Sequence, residues 1–560
     1  MAAAAMHPRK TRLARGKPGL RGSGTRSIRR IRNRLDEPPC AGGARQDTHM
    51  RKTTAAIFVL LLSPWATGCG TAPDVNAPGV TPCEGTSCEQ EPPPESVCAE
   101  HVAADILDDG CGVFVAGPYG FGDDRNPGTK AKPVATVERA VELARTRRGR
   151  VFICNDGFPV HQIRVPSGVD LLGGFHCRRW DRDPEIPRTT FFHQPIADLA
   201  DPMVVVEPAG PEDSGAADGV STLADLNLWA FGPLGVLVQS NTEVEIVRSE
   251  IRADGAVPGS DGEQWPTNQP DGPDGNFAGD ACSATLVAGG PAAVNQCESG
   301  HTSVGGKGGD GLPDSAEDGG DGEPAYASPS RGGIGERDNL SCESGFTGGP
   351  GAPGTQGAPG KGIGRLTEAG WEGDTGGEGT WGTPGQGGGG GGGRRGGLTV
   401  CGAASKGGGG GGSGGAGGCG GRGGRGGADG HPSIGVLAVH ARVTVRDSEI
   451  TTVSGGKGGD GGPPQKGGRG GRGAPGAADV DVVQGCMGGR GGQGGHGGYG
   501  GPGRGGDSIG VAYLDEGQLT LEGVIFEIGQ PGSGGMSWNH DGTTTMGQSG
   551  ERYETLRFPE

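Results

Sequence analysis

Aromatic side chains are scarce in this sequence: Phe, Trp and Tyr make up 4% of 560 residues, and the wider hydrophobic set only 32%. That is too little for one large globular core, so the apolar residues must work in dense islands. These are residues 99–252, 433–453 and 508–529. Long apolar runs are missing too. The longest, Ala55-Ala56-Ile57-Phe58-Val59-Leu60-Leu61-Leu62, is too short to span a bilayer comfortably. A basic excess is confined to the start of the chain. Of 49 Lys+Arg and 66 Asp+Glu, residues 1–52 hold 14 and 3, which leaves 35 against 63 and a net of -28. Phosphate contacts need clustered Lys and Arg, so this balance argues against nucleic acid as a partner. It also repels an anionic membrane surface, so attachment there needs a covalent anchor. No Gly-x-Ser-x-Gly elbow, His-Glu-x-x-His helix or phosphate-binding loop is present.

What the chain has in excess is glycine, 126 residues, with 42 prolines. Set into this background is a repeated unit. Gly235-Val236-Leu237-Val238, followed by Glu243 to Ile251, returns as Gly435-Val436-Leu437-Ala438 with Arg442 to Ile450. A looser copy is Gly510-Val511-Ala512-Tyr513 with Gln518 to Phe526. Each copy reads as two strands with alternating inward and outward residues, joined by a polar bend.

The amino-terminal region gives an address. Met50-Arg51-Lys52, the apolar run and Ala66-Thr67-Gly68-Cys69 follow the charged, apolar and small-residue order of a secretory signal. With Cys69 after small residues it resembles a bacterial lipoprotein signal, although Ala66 stands where that family usually has Leu. The resemblance implies lipidation at Cys69, and Gly70 after it implies export to the outer membrane. Residues 1–49 read as a mis-called start or a disordered basic tail.

Setting aside Cys40 and Cys69 leaves twelve cysteines, an even number in an exported and therefore oxidising setting. Cys83, Cys88, Cys98, Cys111, Cys154 and Cys177 precede the glycine tracts; Cys282, Cys297, Cys342, Cys401, Cys419 and Cys486 lie within them. All twelve are disulfide candidates. Cys83 and Cys88 are close together but lack the second pair that a zinc site needs.

Residues 70–97 are Pro-rich and acidic, the composition of an extended tether. Beyond it, Val137, Ala140, Val141 and Ala144 form a helical apolar stripe, and the period then switches to short β-branched runs such as Val151-Phe152-Ile153-Cys154 and Met203-Val204-Val205-Val206. Near-continuous apolar strands recurring every 20–25 residues, with no room for crossover helices, point to a parallel solenoid. Asn126-Pro127-Gly128-Thr129, Pro133, Thr136, Ala140, Ala144, Val151 to Cys154 and Gly173-Gly174-Phe175-His176-Cys177 resemble the start of a pectin-lyase-like right-handed parallel β-helix. Such segments are common in bacterial surface lipoproteins, myxobacterial ones especially. The resemblance covers about residues 111–252, and implies a Cys154–Cys177 disulfide and a helix that plugs the first coil.

In the glycine tracts, Ser454 to Asp507 holds 26 glycines in 54 residues, many on a three-residue beat. A collagen register runs through Gly351, Gly354, Gly357 and Gly360 but breaks at Ile363. Flexible loops and ordered polyglycine-II bundles both remain open, with six Cys, several Pro and the beat favouring order. The tracts resemble the glycine-rich repeats of PE-PGRS surface proteins, without the amino-terminal domain of that family.

Candidate chemistry is thin. Gly305 to Pro313 matches one nonapeptide of calcium-binding β-rolls, and Gly455 to Gly462 is a poorer copy; one copy cannot build a site shared between turns. Asp170, Asp181 and Asp183 beside Arg178 and Arg179 mimic a polysaccharide-lyase cluster, against the plainer reading of a solvated charged bend. His440 reads as structural.

The expectation is an all-β right-handed parallel β-helix (solenoid) with glycine-rich insertions as polyglycine-II bundles. Its segments are 1–49; a signal at 50–69; a tether at 70–97; β-helix at 98–252, 433–453 and 508–530; glycine-rich insertions at 253–432 and 454–507; and a tail at 531–560. The expected protein is a non-enzymatic, lipid-anchored outer-membrane surface protein, structural or adhesive, without cofactor, metal or catalytic residues. Its expected partners are the membrane and a surface glycan or envelope protein, not nucleic acid. The alternative is a carbohydrate-active β-helix enzyme, which three or more carboxylates and a Lys or Arg converging on one groove would favour.

Overall fold

The structure, a computed structural model, describes residues 93–559 apart from 118–120, 147–148, 183–184, 186–187, 194–200, 212–218, 327, 329, 339, 478–483 and 516–517. Cys69, Cys83, Cys88, Asp183 and the stretches 1–49 and 50–69 lie outside the described residues. The described residues belong to one compact unit, Glu89–Glu560.

Short β-branched runs become strands that pair in parallel into three sheets. The first holds β1 (Val113–Val115), β2 (Arg150–Cys154), β5 (Asp170–Phe175), β8 (Ser221–Ala224), β11 (Glu243–Val247), β18 (Arg442–Arg446) and β21 (Leu519–Glu522). In the second are β4 (Ile163–Pro166), β7 (Val204–Glu207), β10 (Leu234–Val238), β17 (Ser433–Ala438), β20 (Ser508–Tyr513) and β25 (Arg552–Arg557). The third is built from β3 (Gly157–Val160), β6 (Thr189–His193), β9 (Leu226–Ala230), β12 (Glu250–Ala253), β19 (Glu449–Thr452) and β22 (Ile525–Ile528). Three antiparallel pairs stand apart: β13 (Val294–Gln296) with β14 (Thr302–Val304), β15 (Arg365–Thr367) with β16 (Gly370–Glu372), and β23 (Met536–Trp538) with β24 (Thr544–Met546).

This corrects the expected right-handed parallel β-helix. The three parallel sheets are open; none closes on itself, and no strand pairing among the described residues joins one to the next. Alternation and apolar runs specify parallel pairing and the buried face, but they carry no information on how one sheet is set against another.

One apolar cluster draws on all three sheets, with Val151, Leu223, Val244, Ile246 and Val445 from the first, Val165, Val204, Val236 and Val436 from the second, and Phe191, Leu228, Ile251 and Ile450 from the third. Ile246, Val445 and Leu521 stand in register on neighbouring strands, although some 200 residues separate the first two. The repeated glycine of the three copies has a packing reason. A Cβ on Gly435 would lie 2.3 Å from Cγ2 of Ile450, so the bare position is what lets the third-sheet isoleucine reach the core. A buried hydroxyl ladder satisfies the backbone where strands turn: Ser249 Oγ accepts from Leu226 N–H (3.1 Å), and Ser448 Oγ from Ser249 N–H (3.0 Å).

At the amino-terminal end, α2 (Val137–Arg145) lays Val137, Ala140, Val141 and Ala144 on this core. Thr136 Oγ1 caps it by accepting from Arg139 N–H, and Asp124 holds the Thr136 N–H and hydroxyl. The helix α1 (Glu95–Ala103) starts inside the stretch read as tether, and the Cys98–Cys111 disulfide fixes it. Outer faces are covered as well. Phe114, Phe152, Phe175 and Trp180 pack over the first sheet, where Cys154 is bonded to Cys177. Leu366 and Trp371 of the β15–β16 hairpin pack over Leu234, Ile434 and Leu437 of the second, joined by Tyr553, Leu556 and Phe558. So the long stretch 253–432 supplies part of the core's cover, and the supposed tail at 531–560 contributes β25 to the second sheet.

The glycine tracts are ordered by backbone hydrogen bonds at every third residue. Gly351, Gly354, Gly357 and Gly360 donate to Gln493, His496, Tyr499 and Pro502 (2.8–2.9 Å), and Gly421, Gly424 and Gly427 to Gly495, Gly498 and Gly501. A three-residue beat of this kind keeps one face toward each neighbour. In the run Gly387–Gly393 successive residues turn to three different neighbours. Gly387, Gly390 and Gly393 donate to the segment 317–323, Gly388 and Gly391 to 412–415, and Gly389 and Gly392 to 343–346. A Cβ on Gly390 would lie 1.9 Å from the Lys307 carbonyl oxygen, so no side chain fits there. Where the third residue is not glycine, small ones such as Ser413, Ala416 and Cys419 are buried; Arg469 and Arg490 face solvent, whereas Arg504, paired with Asp507, and Gln386 are buried. Three disulfides, Cys282–Cys401, Cys297–Cys419 and Cys342–Cys486, cross-link these segments over sequence separations of 119, 122 and 144.

Candidate functional site

Alternation in the third sheet sends two rows outward. Register places Pro159, Phe192, Trp229, Arg252, Thr451 and Glu527 in one row, and Thr190, Asn227, Glu250 and Glu449 in the row beside it. Strands about 4.8 Å apart make each row a ladder. No apolar cluster covers this face among the described residues, unlike those of the first two sheets. Trp229 is 39% exposed, a large ring left partly open to solvent on this face.

The Trp229 ring is held in place. Its indole N–H donates to the Asp254 carboxylate, Phe231 stands against it with ring centroids 5.5 Å apart at 64°, and the Arg252 guanidinium lies 5.4 Å from its centre. Arg252 Nε donates to Asp254 at 2.6 Å, and that bond raises the guanidinium pKa above its ordinary value. A fixed, half-exposed ring with charged groups at its edge and a polar row alongside can stack on an apolar ligand face while hydrogen-bonding its rim. Alternation along the apolar run Leu226-Asn227-Leu228 contains the signal, since the next residue, Trp229, falls outward with Asn227. Bringing Phe192 and Arg252 beside it needed the register.

The acids singled out in the sequence do not converge. Asp170 opens β5 and Asp181 lies in the turn beyond its other end. Asp170 is half-buried, accepts from Thr222 N–H at 2.8 Å and faces Arg150 at 3.6 Å. Burial pushes its pKa up to about 6, against the opposing pull of the Thr222 N–H and Arg150. Asp181 pairs with Arg179 at 3.0 Å on an exposed bend, and Arg178 is exposed. In the nonapeptide, Asp310 pairs with Lys307 (3.0 Å) and accepts from Gly289 N–H (2.8 Å). Asp460 in the poorer copy pairs with Lys457 at 2.9 Å and accepts from Met536 N–H. Among the described residues no three His, Cys, Asp or Glu side chains group as metal ligands.

A depression of about 670 Å³ lies where second-sheet strands turn into the first sheet. His440, with left-handed backbone (φ 47°), contacts Asp515 at 2.9 Å there, and Arg442 faces Glu243 at 3.8 Å. Its charged groups are paired with one another. No family model, curated protein or solved structure matches the chain.

Proposed function

We propose that the protein is a non-enzymatic, lipid-anchored surface protein that binds carbohydrate through the outer face of its third sheet. The observation that carries this reading is the uncovered ladder of Phe192, Trp229 and Arg252 beside the polar row of Asn227 and Glu250. The apolar face of a sugar ring stacks on an indole, and its hydroxyls match the amide and carboxylates alongside. Anchoring through Cys69 to the outer membrane rests on the signal-like order of residues 50–69. No helix among the described residues is long and apolar enough to cross a membrane.

The test uses the full exported chain, released by Cys69→Ser, on an array of neutral glycans. Wild type binds a subset, and Trp229→Ala lowers affinity about tenfold, the equivalent of roughly 1.4 kcal/mol. Thermal unfolding remains a single cooperative transition, lowered only by the loss of the ring's contacts with Phe231, Arg252 and Asp254. Equal binding by wild type and Trp229→Ala, or no binding to any neutral glycan, overturns the reading.

A further inference from the structure

The glycine bundle carries a feature at odds with the acidic balance of the chain. Lys466, Arg469 and Arg472 sit at three-residue intervals on one segment, all exposed, and Arg490 is exposed on the next. Three residues of such a segment advance roughly 9 Å and return to the same face, so these cations form a straight, evenly spaced row. The Gly491 N–H to Gly471 carbonyl bond (2.9 Å) holds the two segments side by side.

Several other cations of the bundle are matched: Arg422 with Glu298, Arg425 with Glu263, Arg337 with Asp318 and Lys457 with Asp460. Lys466, Arg469, Arg472 and Arg490 make no ion pair among the described residues. The nearest acids, Asp271 and Asp274, accept the backbone N–H groups of Arg469 and Arg472 (2.6 Å each), which leaves the guanidinium groups free to face outward. Between Arg469 and Arg490 runs a groove of about 300 Å³, floored by Gly470 and Gly491 and walled by Thr347 and Gln493.

We propose that this row is a second binding surface, for an extended acidic polysaccharide whose carboxylates recur along the chain. It is independent of the Trp229 face. Evenly spaced guanidinium groups suit repeated carboxylates, which they can bind in bidentate fashion. A glycine floor admits a chain close to the backbone, and Thr347 and Gln493 offer partners for hydroxyls. No aromatic side chain lines the groove, so single-stranded nucleic acid finds no stacking platform there.

The probe is polygalacturonate, tested against the full exported chain released by Cys69→Ser. Wild type binds at low ionic strength and weakens steadily as salt rises, as contacts between exposed charges are screened. Arg469→Gln with Arg490→Gln weakens binding about tenfold, which corresponds to roughly 1.4 kcal/mol. Arg469→Lys with Arg490→Lys keeps the charges but not the bidentate geometry and binds with an affinity between wild type and the Gln variant, which separates loss of charge from loss of fold. Trp229→Ala leaves polygalacturonate binding at the wild-type level, so failure here is distinguishable from failure of the neutral-glycan site. Absence of binding at low salt, wild-type affinity in the Gln double variant, or duplex DNA competing as well as polygalacturonate at equal charge overturns the proposal.

Discussion

The sheets and the glycine bundle hold together by opposite means. In the sheets, side chains fill the interior: Val236, Ile246, Val436 and Val445 are fully buried, and one residue in two along a strand faces inward. In the bundle the interior is backbone. Gly387–Gly393 is buried with no side chain at all, and its hydrogen bonds run to neighbours on every side. The first arrangement gains from apolar burial, about 25 cal/mol for each Å² removed from water. The second has little apolar surface to bury and must order the residue type with the most backbone freedom to lose. The contrast accounts for where the cross-links fall. Of the five disulfides among the described residues, three tie bundle segments together, each closing a loop of more than a hundred residues, whereas Cys154–Cys177 and Cys98–Cys111 lie at the amino-terminal end of the sheets.

Removing those cross-links is the largest expected break between the two regions. Loops of this length are worth about 4–5 kcal/mol each in the chain-entropy account. Replacing Cys282, Cys297 and Cys342 by Ser should therefore abolish hydrogen-exchange protection across Gly387–Gly393 and leave the Val436 and Val445 amides protected. Equal loss in both regions would show that they unfold as one. A smaller, local break is Gly390→Ala. Its new methyl meets the Lys307 carbonyl, and overpacking of a site with no flexible neighbour costs about 3 kcal/mol. Denaturant unfolding of this variant, followed by bundle amides and by sheet amides separately, should lower the first midpoint more than the second.

Much of this contrast was written in the sequence, and some of it was not. The recurrence of Gly235, Gly435 and Gly510 ahead of β-branched residues marked neighbouring strands across two long excursions. The three-residue beat and the six cysteines marked order in the tracts. What escaped was whatever depends on one sheet's placement against another. Open sheets and a closed coil share the same alternation, so the strands were legible and their closure was not. The β15–β16 hairpin offered only Leu366 and Trp371 among glycines and charges, and its role over Leu234 and Leu437 appears only in three dimensions. The segment 454–507 was read as an insertion, yet its backbone bonds on both sides, to 413–431 and to 351–360. The aromatic ladder likewise needed register to bring Phe192, Trp229 and Arg252 together.

The smallest effect expected concerns the sheets alone. Burial holds the Asp170 pKa at about 6 in the folded chain, above the ordinary 3.8. A carboxyl raised in this way favours the native state while protonated, and that contribution is lost as pH rises through about 6. Asp170→Asn should then stabilise the protein by at most about 3 kcal/mol at pH 8 and by little at pH 4, at roughly 1.4 kcal/mol per unit of pKa difference. Thermal unfolding at the two pH values measures it; an equal gain at both would assign the effect to packing instead of charge.

Each long excursion leaves the chain after a third-sheet strand and rejoins it at a second-sheet strand: β12 to β17, β19 to β20, and β22 to β25. The exits lie one above another, and the excursions bond to each other through Gly456 N–H to His431 and Gly532 N–H to Gly506. The bundle therefore tolerates changes of length only in a particular arithmetic. One extra residue in a segment turns everything beyond it by a third of a revolution and drives side chains into the neighbours' carbonyls. Three extra residues bring every face back into phase and lengthen the segment by about 9 Å. Insertions counted in threes extend the reach of the bundle while the core beneath keeps its register.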